Sequence, residues 1–252
     1  MSSGIDTFPQ VELYTSDIKL CKAPHYLNDN LIGFAFKYLE NVMFPKTDFL
    51  FVHPGGAFVI SHEDDPEDLL DTVNGIGIST EKKLIFFPVN DGGNTSMQFT
   101  TSSQGSHWAL LVYDSEQRKF FYYDSSGSSN RIPALRLARQ LNAVLPCGAP
   151  QKNEDSNQTA TSSEARVMVV KSSAPIVVES KCPQQTNGYD CGLYAIAVAR
   201  ALAEAQLKSM KVGSSSSTEH LGKVVKPQTA SQLRDDIPKW IKATAKNKKP
   251  KS

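Results

Sequence analysis

Residues 191–210, CGLYAIAVARALAEAQLKSM, restrict the fold more than any other stretch of the chain. Alanine and leucine favour helix, and the first turns are apolar on every side rather than along one stripe. Such a helix has to run through the core, with other elements wrapped around it. Asn187, Gly188 and Asp190 supply turn chemistry just before it, so Cys191 opens the helix with its sulfur at the positive end of the macrodipole. That position favours a thiolate, and Gly192 behind it leaves room for a substrate carbonyl.

The rest of the chain supplies a sheet and further helices. Residues 83–89 (KLIFFPV), 107–113 (HWALLVY) and 119–124 (KFFYYD) are short runs rich in β-branched and aromatic side chains with turn signals between them, and they read as three strands. DSEQ at 114–117 is short enough to make the last two an antiparallel hairpin, which brings His107 and Asp124 to one end of it. Residues 27–43 predict a helix with Leu27, Leu31, Phe34 and Tyr38 on one face and Asn28 or Asp29 as cap. Residues 131–145 predict a second helix, with Pro133 in its first turn, and residues 227–246 a last one containing Trp240. IVVE at 176–179 is a short strand; RVMVV at 166–170 is either another or the remnant of an insertion. The expected organisation is one domain over residues 1–246, with a polar disordered insertion at 148–165, a flexible linker at 211–220 and a basic disordered tail at 247–252.

Charge and cysteine content remove several classes of function. Lys and Arg total 27 against 26 for Asp and Glu, so no global field steers the chain to nucleic acid or to an acidic membrane. The first thirty residues contain no apolar signal core, and no stretch reaches the ~18 apolar residues that span a bilayer. A cytoplasmic or nuclear location is expected. Cys21, Cys147, Cys182 and Cys191 lack zinc-ligand spacing and should be free thiols in a reducing compartment, where the sequons at Asn94 and Asn157 are chance matches. No metal or cofactor is expected.

A thiol nucleophile needs a stabilised thiolate, a base to shuttle its proton and a group to orient the base. Cys191, His107 and Asp124 can fill those roles, and the amide of Gln185 can donate to an oxyanion beside the N–H of Cys191. Read singly, each has an ordinary alternative: a buried structural thiol, a satisfied core histidine, a turn or cap residue, a loop glutamine. Cys21, Cys147 and Cys182 read as structural.

Taken together, YLNDNLIGFAFKYL, GSHWALLVYD, FFYYDSS and QQTNGYDCGLYAI resemble the ubiquitin-like-protein-specific cysteine proteases, the Ulp or sentrin-specific protease family, from about residue 10 to residue 210. The resemblance implies an α+β, papain-like cysteine protease fold of the Ulp type, a helical portion packed on a mixed sheet with the active site in the cleft between them. It implies Cys191 as nucleophile, His107 as general base and acid, Asp124 as orienter and Gln185 as oxyanion donor, which agrees with the reading of the residues themselves. It further implies that Trp108 covers the extended tail of a ubiquitin-like modifier, with Tyr26 as the opposing wall and Asp29, if it is not the helix cap, as a polar contact. Two flat rings would leave a channel passable only to Gly-Gly. LNDNLIGFAFKYLEN and FFPVND resemble the deneddylating members, so the expected partner is the neddylation modifier, cleaved after its C-terminal Gly-Gly by a monomeric enzyme. A SUMO-directed protease, a cysteine acyltransferase and a non-catalytic module for binding ubiquitin-like proteins remain open at this point.

Overall fold

A computed structural model describes residues 3–92, 105–145, 147 and 174–246. A small ribbon, β1 (Gly4–Ile5) and β2 (Leu13–Tyr14), leads through a helical turn, α1 (Asp17–Leu20), into α2 (Asp29–Tyr38), which continues as a π turn over Leu39–Met43. Strand β3 (Phe49–Phe51) and helices α3 (Pro54–His62) and α4 (Pro66–Ile76) come next. They are followed by β4 (Leu84–Asn90), β5 (Trp108–Asp114), β6 (Lys119–Tyr123), α5 (Arg131–Leu141) and β7 (Val177–Glu179). The chain closes with α6 (Cys191–Leu207), α7 (Ser215–Val224) and α8 (Pro227–Lys246).

The sheet runs β3-β4-β5-β6-β7, antiparallel at its centre and parallel at both outer pairs. One face buries Phe86, Leu110, Val112, Phe121 and Tyr123 against α2 and α6, with α7 and α8 completing that core. The other buries Phe87, Leu111, Tyr113, Phe120 and Tyr122 against α3, α4 and α5. Helices on both faces explain why these strands read as unbroken apolar runs instead of alternating. Pro88 fits within β4 because its side of the strand faces β3, which has already ended at Phe51.

The expected hairpin forms, with Leu110 opposite Tyr123 and Asp114 opposite Lys119. Helix α6 runs through the core as its composition requires, with Leu193, Ile196, Ala199 and Leu202 fully buried. The cap of α2 is Asn28, whose side chain accepts from Leu31 N at 3.1 Å. Asp29 is therefore not the cap.

Among the expected elements, the flexible linker fails. The Ser-rich stretch expected as a flexible linker at 211–220 contains most of α7, capped by Ser214, whose hydroxyl accepts from Ser217 N at 3.2 Å. Serines that look like linker composition are here a cap and a first turn, and the helix is stabilised by burying Leu221, followed by Val225. Strand β3 and helices α3 and α4 were not among the expected elements: HPGGAFVISH lacks an apolar stripe and α3 starts on His53 as cap with Pro54 in its first turn, whereas α4 has ordinary signals, Asp65 as cap, Pro66 in its first turn and Leu69 and Val73 buried. The insertion at 148–165, the RVMVV segment, the tail at 247–252 and the sequons at Asn94 and Asn157 lie outside the described residues.

Candidate active site

Cys191 is the first residue of α6 and is 1% exposed. Gly192 lets that end of the helix close on its neighbours: a Cβ there would come within 3.2 Å of Ile32, 3.3 Å of Leu27 and 3.4 Å of Trp108. The space behind the thiol expected for a substrate carbonyl is thus occupied by side chains, and the glycine serves close packing.

His107 lies just before β5 and Asp124 just after β6, so the hairpin register makes them diagonal neighbours at one end of the ladder. The ring Nε2 of His107 meets Asp124 Oδ1 at 2.6 Å. Cys191 is close enough to the imidazole to act on its protonation. Burial works against a charged His107, but the hydrogen bond to Asp124, the charge of that carboxylate and the interaction with Cys191 outweigh it and raise the imidazole to about 9. For Asp124, burial pushes the carboxyl up; hydrogen bonds from His107, Tyr122 and Ser126 N outweigh it and leave the carboxyl below its ordinary value.

Asp124 is held by more than its histidine. Tyr122 donates its hydroxyl to Oδ2 at 2.6 Å, Ser126 N donates to Oδ1 at 2.8 Å and Asn130 N to Oδ2 at 3.2 Å. Fully buried Asn130 also donates its amide to the carbonyls of Val89 and His107, at 3.0 and 2.9 Å. The N–H of His107 donates to Asp91 Oδ1 at 2.9 Å, so its backbone is gripped on both sides. Tyr122 was legible in principle, because residues two apart on a strand share a face. Asn130 and Asp91 carried no comparable signal.

Gln185 is stitched to the same strand end. Its N–H donates to Ser125 O at 2.8 Å, its Oε1 accepts from Ser125 Oγ at 2.7 Å, and its Nε2 donates to Asn187 O at 2.6 Å. One of the two amide hydrogens is used there, leaving the second to serve another acceptor. The preceding Gln184 clamps the loop by donating to Asp124 O and accepting from Gly127 N, both at 2.9 Å.

Trp108 is buried and donates Nε1 to the Leu27 carbonyl at 3.0 Å, which ties β5 to the loop that leads into α2. Tyr26, in that loop and not in the helix, is 49% exposed. A cavity of about 350 Å³ opens beside Trp108 between α3, α5 and the start of α2; Asp29 and Trp108 are among its walls, Tyr26 is not. The remaining cysteines are free: burial pushes the thiol of Cys21 to about 11 and that of Cys182 to about 12, and it raises Cys147. Among the described residues no group of three or more His, Cys, Asp or Glu side chains could hold a metal ion.

The sequence matches the Ulp1 protease family, C-terminal catalytic domain, over residues 74–237. It is 31% identical over 194 residues to sentrin-specific protease 8 of Mus musculus, covering 76% of this chain and 74% of that protein. It is 31% identical over 198 residues to NEDD8-specific protease 1 of Arabidopsis thaliana, covering 79% of this chain and 74% of that protein. The fold matches the X-ray structure of the C-terminal Ulp1 protease domain in complex with Smt3, the yeast ortholog of SUMO, with a TM-score of 0.64 at 18% identity over 97% of this chain and 89% of that one.

Proposed function

The chain belongs to the Ulp1 protease family of cysteine peptidases acting on ubiquitin-like modifiers, and on that premise we propose that it hydrolyses the bond after the C-terminal Gly-Gly of the neddylation modifier NEDD8, in conjugates or in the precursor. The observation that carries the chemistry is the 2.6 Å contact between Asp124 and the His107 ring, a ring that also interacts with Cys191 at the start of α6.

In this reading the Cys191 thiolate attacks the glycine carbonyl, stabilised by the helix N-terminus and by the His107 imidazolium, which the value of about 9 keeps protonated at neutral pH. The free amide hydrogen of Gln185 and the Cys191 N–H receive the oxyanion. His107 then protonates the leaving amine, and water, deprotonated by the same ring, releases the thioester. Asp124 fixes the ring so that one nitrogen always faces sulfur. Trp108, bonded to the Leu27 carbonyl, and Tyr26, the residue before Leu27, flank the incoming tail, and Asp29 contacts the segment before it. The protein acts as a monomer in the cytoplasm or nucleus, where its four thiols stay reduced.

NEDD8 is preferred over SUMO because relatives at 31% identity include a NEDD8-specific protease, whereas likeness to the SUMO-bound structure is at 18% and speaks for the fold. The test is turnover of fluorogenic C-terminal amides of NEDD8, SUMO and ubiquitin by the purified chain, with Cys191→Ala as control. Cleavage of the NEDD8 amide alone, lost in Cys191→Ala while modifier binding persists, is the expected result. Preference for SUMO would overturn the specificity, and cleavage by Cys191→Ala would overturn the mechanism.

A further inference from the structure

Asp190 directly precedes Cys191 and occupies the N-cap of α6. An aspartate there ordinarily folds back to accept an N–H of the first turn. Asp190 makes no such bond. Its Oδ1 instead accepts from Arg234 Nε at 3.0 Å and Nη2 at 2.6 Å, and its Oδ2 from Asn187 Nδ2 at 3.0 Å and Ser231 Oγ at 2.7 Å. Asp190 is 2% exposed and Arg234 9%.

The same guanidinium donates to the carbonyls of Leu20 at 3.3 Å, His25 at 2.9 Å and Tyr189 at 3.3 Å, and it lies 5.2 Å from the centre of the Tyr189 ring. Helix α8 is thereby joined to the loop that presents Cys191 and to the loop that carries Tyr26. Two physical consequences follow. A carboxylate one residue from the sulfur opposes thiolate formation unless a cation balances it. A carboxylate turned away from the helix leaves the N–H groups of the following residues in the first turn uncapped by it and keeps its negative charge off the helix N-terminus where Cys191 sits.

We propose that Arg234 is a positioning residue for the nucleophile: it draws the Asp190 carboxylate off the N-terminus of α6 and balances its charge, so that the Cys191 thiolate forms beside a neutral pair. Among the described residues, His107 and, behind it, Asp124 face this end from the hairpin, Tyr194 faces the Asp190 carboxylate from α6, Cys21 faces Arg234 with Asp17 nearby, and the neighbours from the α2 side, Leu27 and Ile32, are apolar. The proposal rests on the protease reading only in taking Cys191 as the reactive thiol.

The test is the pH dependence of Cys191 alkylation by iodoacetamide in the full chain, corrected with a Cys191→Ser control. Arg234→Met, which leaves Asp190 unpaired, should move the midpoint up by about one pH unit or more. Asp190→Asn, which leaves Arg234 unpaired, should move it down, and the double variant should return it close to wild type. Unchanged midpoints, or shifts of both single variants in the same direction, would reduce Arg234 to a structural brace and overturn the proposal. Should Arg234→Met fail to fold by circular dichroism, the sign of the Asp190→Asn shift decides: downward supports the proposal, upward or no shift overturns it. Alkylation needs no modifier, so a chain that cleaves none of the three amides would defeat the proposed function while leaving this measurement intact.

Discussion

The phenol of Tyr122 donates to Oδ2 of Asp124 at 2.6 Å, the same separation at which His107 occupies the other carboxylate oxygen. Asp124, the orienter of His107 in the proposed mechanism, is itself held by a side chain two positions earlier on β6. Burial, the hydrogen bond to Asp124 and its charge hold the Tyr122 hydroxyl far above its ordinary value, so it is a permanent donor.

Tyr122→Phe should therefore lower turnover about tenfold, in line with losing one charge-assisted hydrogen bond of roughly 1.5–3 kcal/mol. With Asp124 less well fixed, the alkaline limb of the kcat/KM profile should also shift to lower pH. A pH–rate profile checks both; an unshifted limb would mean that Ser126 N and Asn130 N suffice to hold the carboxylate.

Asp124→Asn should reduce kcat by orders of magnitude while leaving the protein folded, because an amide cannot stabilise the imidazolium. The pH dependence of stability has a definite sign. A folded-state value of about 9 for His107, above its ordinary 6.5, contributes stability that is fully present below about 6.5 and is lost as pH rises through about 9. Thermal unfolding of the wild type across that window should show the loss, and Asp124→Asn should flatten it. A wild-type melting temperature that rises between those limits would contradict the ion pair.

Gly105→Ala tests the anchoring of His107. A Cβ at Gly105 would collide with the carboxylate of Asp91, the side chain of Asn90 and the backbone N of Gly92, the last at 2.5 Å. Asp91 carries the N–H of His107 at 2.9 Å and the hydroxyl of Ser106 at 2.6 Å. The expected outcome is a kcat reduced by about tenfold or more, consistent with catalytic groups displaced by a fraction of an ångström, with little change in melting temperature. Wild-type kcat would show that His107 is placed without Asp91.

Trp108→Phe keeps an aromatic ring but leaves the buried Leu27 carbonyl without its donor at 3.0 Å, costing on the order of 1–3 kcal/mol. Because that carbonyl belongs to the loop carrying Tyr26, KM for a modifier amide should rise more than kcat falls. Steady-state kinetics on the proposed substrate separate the two.

Much of the frame was legible because it is local. Leu84–Asn90, Trp108–Asp114 and Lys119–Tyr123 are strands whose apolar runs and short turn announce them, and the composition after Cys191 admits only a central helix. Helix α4 carried local signals, Asp65 as cap, Pro66 in its first turn and Gly77 at its end, but α3 and α7 lacked a local signature. The α7 serines carry linker composition and become helix only because Leu221 finds the core, and the Gly-Gly pair in α3 hides a helix held by packing on the sheet.

The candidate site divides along the same line. Cys191 at a helix start and His107 and Asp124 at the ends of one hairpin follow from the chain alone, since each depends on contacts within a few residues or across one tight turn. The choice of Asn28 over Asp29 as cap, the grip of Asn130 on His107 and the ion pair between Asp190 and Arg234, 44 residues apart, were decided only in the tertiary structure. The last two join segments that periodicity and turn chemistry describe separately, and what selects them is the requirement that polar groups, once packing has buried them, find partners.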